Sequence, residues 1–574
     1  MDEITSGQSM NGSWWLVKIE AKRIQTYLFA VPELKAMVGA NVILGEALRG
    51  ARSGCGFTAG SLPAAAVDCG AQTPMQAAAV AAPGSSANDP LGDDDDPAFG
   101  FDLGVLVRDA SRLWAAFPRR GDRTKPGGEG GALRFIAEAE RIVGKSLPGV
   151  TLTIRVVELA LQGGAWVKRP EPAPHGAPSK SAPKPRGDTV PTLPVLQVCE
   201  VSGHGVATRR ENHKTGQFVS RDVALRRERS RAMDACHTHD VMGLLRTKGA
   251  FGFGAERMPA DFHRLAEGGY LAVIHADGNE VGKLVQAVAD HRDEFHHWSA
   301  TERLYHRNRV LMRRAFVDAV VSRDAELAKT NQPTMPLRPL MLGGDDLLLV
   351  CRARDAMPIV IDLARRLEEL QENADLPLTL AFGVAVARAS LPFHRLHALA
   401  EDLASSAKRL YRGRNSGDSP WKRSVIDWLT TTATWQDDVG ESRREGAIVV
   451  GPSGERLVLS RRPLPVLGPK DTLEAYHRRA RSLQEAVASR GAARSQLRHL
   501  QSSLRRGRSL ASLAASELPS DTRMALAEAL SADTQPGSVP FFSPWSPVDG
   551  SKDLTTSVGD IIELFEIDGL GRRA

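Results

Sequence analysis

Leu340-Met-Leu-Gly-Gly-Asp-Asp-Leu-Leu-Leu-Val350 is the stretch whose reading decides the fold. Two apolar runs, Leu340 to Leu342 and Leu347 to Val350, flank Gly343, Gly344, Asp345 and Asp346. This pattern predicts a buried β-hairpin with two carboxylates at its tip. Glycine accepts positive φ and lets a ligand approach the backbone, so a Gly-Gly pair suits a tight reversal beside a bound group. Successive strand residues face opposite ways, so Asp345 and Asp346 need not do the same work. Gly and Asp are also ordinary turn residues, and a solvated turn would read the same way.

A second feature separates the two readings. Mg²⁺ prefers oxygen ligands in near-octahedral order, and nucleotidyl transfer uses ions roughly 3.5–4 Å apart, so a third carboxylate is needed nearby. Upstream, Tyr270 to Ala276 reads as a buried strand ending at Asp277-Gly278-Asn279. Val281, Leu284, Val285 and Val288 follow at helical spacing. Asp277 thus falls at a strand-to-helix junction, where backbone N–H groups favour phosphate. Further along, a helix is expected over Ile359 to Leu370 with Val360, Leu363, Ala364 and Leu367 on one face. A strand over Leu378 to Ala387 and a helix over Phe393 to Tyr411 complete a βαββαβ series. With its first and second strands side by side, such a sheet would bring Asp277 to the Asp345-Asp346 turn.

Three stretches now carry a resemblance: Val273 to Lys283 (VIHADGNEVGK), Leu342 to Val350 (LGGDDLLLV), and Leu391-Pro392 with Ala407-Lys408. They resemble the second palm domain of the large subunit of type III CRISPR effector complexes, a relative of GGDEF-type cyclases. Ile24 to Phe29, Leu34-Lys35 and Val38 to Asn41 resemble the opening of that family's first palm. Arg461-Arg-Pro463, after a hairpin near Ala447 to Ser460, resembles the segment before its C-terminal helices. The resemblance implies an α+β chain with two ferredoxin-like (βαββαβ) palm domains, a small middle domain and a C-terminal helical domain. It implies ATP bound between the palms and joined into cyclic oligoadenylate on target RNA capture. Asp277, Asp345 and Asp346 would then be the catalytic carboxylates holding Mg²⁺ or Mn²⁺. Gly278, Asn279, Gly343, Gly344, Lys283 and Lys408 would contact nucleotide. Guide RNA, target RNA and other CRISPR subunits would be partners.

Departures from the family matter too. Asn279 stands where the family often has a carboxylate. The first palm has no acidic pair at its glycine-rich stretch Gly127 to Gly131, which implies a silent palm. The first-palm motif begins at Trp14, and His239-Asp240 lacks supporting histidines, so no HD nuclease activity is expected.

Cys199, Cys236 and His239, with one of His204, His213 or His237, have the short spacings of zinc ligands where relatives often carry a small zinc module. An eroded module without metal reads equally well. The remaining boundaries follow composition: 1–167 first palm, 168–192 Pro-rich linker with seven Pro by Pro191, and 193–262 middle domain. Then come 263–430 second palm, 431–470 β-hairpin connector and 471–574 helical domain. Asp93 to Asp96 read as a solvated loop.

A chain of 574 residues and net charge +6 is long enough for several cores. Its five Cys are irregularly spaced, which gives no disulfide framework and fits a reducing cytoplasm. No apolar run approaches the ~20 residues of a membrane span, so no membrane partner is expected. The positive charge is uneven. Tyr476 to Leu510 holds nine Arg against Glu485 alone, with Leu497, Leu500 and Leu504 marking a buried stripe. Arg209 to Arg231 holds eight Lys or Arg against three acids. Both fit a nucleic-acid-associated assembly, although charged runs are often simply solvated faces. Two other readings stand beside the first: a stand-alone palm cyclase, and a catalytically weak scaffold, favoured by Asn279.

Overall fold

The computed structural model describes residues 13–50, 52–53, 55–74, 97–108, 111–119, 129–169, 196–203, 205–210, 216–235, 259, 261–267, 269–288, 292–327, 336–372, 374, 377–415, 421–431, 448–451, 454–490, 494–530, 544–548 and 551–570. The chain divides into two compact units, Met1–Thr247 with Glu280–Arg314, and Lys248–Asn279 with Ala315–Ala574. The Pro-rich stretch lies outside the described residues from residue 170 on, as do Asp93 to Asp96.

In the first unit β1 (Ser13–Lys22) precedes helix α1 (Leu34–Leu48), β2 (Val105–Val107), β3 (Arg112–Pro118), helix α2 (Glu129–Ser146), β4 (Thr151–Gln162) and β5 (Ala165–Lys168). The sheet order is β2-β3-β1-β4-β5. One face packs Trp14, Leu16, Phe101, Leu106, Trp166, Phe295 and Trp298 into a core. Edge-on ring pairs such as Trp14 with Trp166, 6.2 Å apart, add to the area term.

Of the glycine-rich stretch, Gly127 and Gly128 lie outside the described residues. From Glu129 it is helix α2. A Cβ on Gly131 would stand 2.7 Å from the Cys69 carbonyl oxygen, so close packing is what requires that glycine. The second strand ends at Val107 and the third begins at Arg112.

The second unit repeats the pattern with β6 (Tyr270–Gly278), β7 (Leu337–Leu342) and β8 (Leu347–Arg352); between β6 and β7 the chain runs through α3 (Val281–Val288), which belongs to the first unit, and α4 (Glu294–Leu327), which the first unit holds as far as Arg314. Helix α5 (Ala353–Glu369), β9 (Leu380–Arg388), helix α6 (Phe393–Arg414), β10 (Val425–Thr430) and β11 (Leu464–Pro465) follow. The order is β7-β8-β6-β9-β10-β11, so the unit is ferredoxin-like in its first four strands. The first strand therefore lies beside the third, not the second as its sequence order suggested. Pro339 gives the reason: it has no N–H for a ladder and belongs on an edge, whereas Leu347 to Val350 are fully buried and take an interior place. Leu271, Val273 and Ile274 of β6 are buried on both faces, each contributing roughly 1.5–3 kcal/mol.

Val360, Leu363, Ala364 and Leu367 are buried as their spacing required, but α5 starts at Ala353, earlier than the periodicity suggested. The Arg352 guanidinium donates to the buried Asp355 carboxylate at 2.9 Å and holds that first turn. Helix α6 crosses β9 at Gly383, where a Cβ would stand 1.9 Å from the Ala400 carbonyl oxygen.

Beyond the palm, Ile448–Val450 and Arg456–Val458 form a hairpin. Helices α7 (Leu473–Arg490), α8 (Arg494–Leu504) and α9 (Val558–Gly569) follow. Leu497, Leu500 and Leu504 are buried. Arg462 joins strand to helix, donating to the Trp428 carbonyl at 2.7 Å and pairing with Asp560 and Glu563 at 2.9 Å. Among the described residues no helix is long and apolar enough to cross a membrane.

Candidate metal and nucleotide site

The antiparallel ladder fixes the site. Ala276 of β6 pairs with Leu347 of β8, so one step further sets Asp277 opposite Asp346. One oxygen from each of Asp277, Asp345 and Asp346 lies within 4.8 Å of the others, all three side chains half-buried. The Asp346 carboxyl is held well above its ordinary range, first by loss of water, then by the charges of Asp345 and Asp277 and a hydrogen bond with Asp277. Lys408 of α6 opposes this shift and pairs with Asp277.

The turn closes through the Gly343 N–H, which donates to the Asp346 carbonyl at 2.8 Å. Gly343 does not adopt the left-handed backbone anticipated for it, and a Cβ there would meet Asp346 only at 3.5 Å, an ordinary contact. The glycine leaves space beside the carboxylates; it is not demanded by backbone strain. Gly344 lies in the same turn, and Gly278 ends β6 opposite Leu380.

Asn279 continues the ladder, its N–H donating to the Thr379 carbonyl at 2.8 Å and its Nδ2 to the Thr379 hydroxyl at 3.1 Å. By strand alternation it falls on the Asp277 side of the sheet. It is buried, and its Oδ1 has no hydrogen-bond partner. A buried neutral oxygen left unsatisfied on the sheet face that carries Asp277 is what a cation site would use.

Lys283 is a different matter. It belongs to the first unit, is exposed, and its ammonium pairs with Glu280. Of the expected zinc ligands, Cys199 is buried, while Cys236, His239, His204 and His213 lie outside the described residues. Burial pushes the Cys199 thiol up, but hydrogen bonds from Ser202 and from the backbone of Ser220 and Val201 bring it down to about 7.

A second cluster went unread in the sequence. His275 of β6 and His397 and Glu401 of α6 bring one potential ligand atom each within 4.8 Å. His397 and Glu401 are spaced i, i+4, the separation that puts two ligands on one helix face, and this was the available signal. Burial, and then the neighbouring His275, push the His397 imidazole down to about 4.

The fold and the carboxylate cluster define a palm domain with an all-oxygen acidic site. Residues 270–417, which contain every carboxylate of that site, match the sequence model of Cas10/Cmr2, second palm domain. No curated protein matches the chain. Among solved structures, the Csm1-Csm4 cassette in complex with cA4 is similar at 10% identity and TM-score 0.34, over 69% of this chain and 53% of that one. The same cassette with AMPPNP gives 12% and 0.33 over 70% and 53%. Csm1 in T. onnurineus gives 12% and 0.34 over 71% and 53%. The chain spans about half the length of the solved structures it matches.

Proposed function

We propose that this chain is the palm-bearing large subunit of a type III CRISPR effector, and that it converts ATP into cyclic oligoadenylate when target RNA binds. The observation that carries the reading is the convergence of Asp277, Asp345 and Asp346 within the matched palm segment. Three carboxylates and a spare amide oxygen form a hard donor set suited to Mg²⁺ or Mn²⁺. Such ions, when bound, assist an attacking ribose hydroxyl and neutralise the leaving pyrophosphate.

The chain's own residues do the rest. The β6–β8 ladder holds Asp277 and Asp346 at fixed separation, which spares the reaction reorganisation. The crowding that raises the Asp346 carboxyl works against ligation by all three carboxylates at once, and Lys408 offsets it. The Lys408 ammonium, already on Asp277, supplies positive charge for a triphosphate. The basic stretches 209–231 and 476–510 suit RNA phosphates or acidic subunits of a cytoplasmic assembly. Asn279, with its missing charge, favours a second reading: a nucleotide-binding scaffold with weak catalysis.

The test incubates the chain, with its guide-RNA partners, with ATP and Mg²⁺ or Mn²⁺, with and without target RNA, and identifies products by mass spectrometry. Cyclic oligoadenylate only with target RNA supports the reading. Product without RNA points to a stand-alone cyclase, and no product under any condition points to the scaffold. Asp345→Ala with Asp346→Ala should remove the product while the protein still melts cooperatively; unchanged synthesis would sink the assignment.

A further inference from the structure

We propose that His275, His397 and Glu401 form a second metal site, separate from the carboxylate cluster and selective for a transition-metal dication of the Zn²⁺ class. Strand β6 and helix α6 supply the ligands, whose atoms already lie within 4.8 Å of one another. The rings of His275 and His397 stand edge-on with centroids 5.7 Å apart, and His397 Nδ1 lies 3.5 Å from a Glu401 carboxylate oxygen. His275 is 7% exposed and His397 5%.

His275 Nδ1 is the observation that asks for a ligand. It is buried and has no hydrogen-bond partner. An unmet buried polar atom is costly, and an apolar side chain would fill this place without that cost. A metal ion would meet it directly.

The donor set decides the class of ion. Two imidazoles and one carboxylate suit Zn²⁺, Co²⁺ or Fe²⁺, with positions left for water, whereas Mg²⁺ and Ca²⁺ want oxygen alone. The carboxylate cluster has the opposite preference, so the two sites sort ions by hardness. Phe393 stacks on His397 at 6.2 Å and Phe262 on Phe393 at 5.2 Å, walling one side with apolar rings. Glu401 is half-exposed and gives the ion a route in. Asp277 lies two residues along the same strand from His275, roughly 7 Å away, so an ion here would brace the strand that carries the cluster.

The experiment strips the full chain with chelator and titrates it with Co²⁺, reading visible d–d absorption. About one Co²⁺ per chain should bind with imidazole-type bands, without the strong near-ultraviolet band that cysteine thiolate would add. Millimolar Mg²⁺ and the Asp345→Ala, Asp346→Ala double variant should leave those bands intact. His275→Gln and His397→Gln should each weaken binding by more than the roughly 10–100-fold that loss of an outer-shell partner costs. If either histidine variant fails to fold by circular dichroism, the half-exposed Glu401→Gln decides, with at least about tenfold weaker binding expected. Folded wild type that takes up no Co²⁺, Co²⁺ affinity unchanged in Glu401→Gln, or bands lost only in the Asp345, Asp346 variant would each overturn the site.

Discussion

The two sheets share a strand order and differ at one rung. Each has its first strand between the third and the fourth, and each joins the second and third strands through four residues, 108–111 in one and 343–346 in the other. At the rung where the second sheet sets Asp277 opposite Asp346, the first sets Ala21 opposite Ser111, with the Ala21 N–H donating to the Ser111 carbonyl at 2.9 Å. The turn of the first sheet is also tied down. Its Arg108 is buried, takes the Gly50 carbonyl at 3.3 Å through its side chain, and donates its backbone N–H to Glu302 at 3.3 Å. Ladder geometry alone therefore makes no acidic site; it provides two facing positions, and side chains decide their use. At this rung the first sheet carries no carboxylate.

The comparison breaks most sharply at Asp277. Asp277→Ala makes the second sheet match the first at that rung, and nucleotide product should fall by at least roughly 10²–10³-fold, as when a transition-state-stabilising group is lost. An unchanged product yield would mean that the rung is not where the chemistry lies.

Next in size is Lys408→Ala. Without that ammonium the Asp346 carboxyl is driven further above its ordinary range, since Lys408 is what opposes the upward shift. Metal binding needs the deprotonated form, so affinity rises with pH through the Asp346 titration, and the variant should need a higher pH for half-maximal binding. Asp345→Asn removes a like charge and should move the midpoint down. Calorimetric Mn²⁺ titrations across pH read both signs, and a midpoint unmoved by Lys408→Ala would contradict the account.

The converse exchange, Ala21→Asp, places a carboxylate at a buried position of the first sheet. Stability should fall by about 1–3 kcal/mol in a denaturant melt, with no rescue of product in the Asp277→Ala background. The smallest effect belongs to Asn279→Asp. It trades the Nδ2 bond to Thr379 for a fourth carboxylate. Stability should drop by about 1 kcal/mol while Mn²⁺ binds more tightly at neutral pH; weaker binding would place Asn279 outside the ion's reach.

Much of the second palm was legible because its signals are local. Apolar runs marked β6, β7 and β8, helical spacing marked the buried face of α5, and Asp277 fell at a strand end. Pairing was not legible from strand succession, although Pro339 was a usable sign that β7 lies at an edge. Two glycines answer to their surroundings rather than to turn geometry. Gly131 stands against the Cys69 carbonyl across a packed interface. Gly343 read as a left-handed residue, yet serves as open space. The histidine cluster stayed hidden because His275 and His397 are 122 positions apart, and only the packing of α6 on the sheet unites them.

That packing turns on Gly383. Since helix backbone meets strand backbone there without a side chain between them, any side chain at 383 would push α6 off the sheet. His397 lies three residues to one side of Ala400 and Lys408 eight residues to the other. One methyl group at that crossing would therefore disturb the histidine cluster and the charge on Asp277 together.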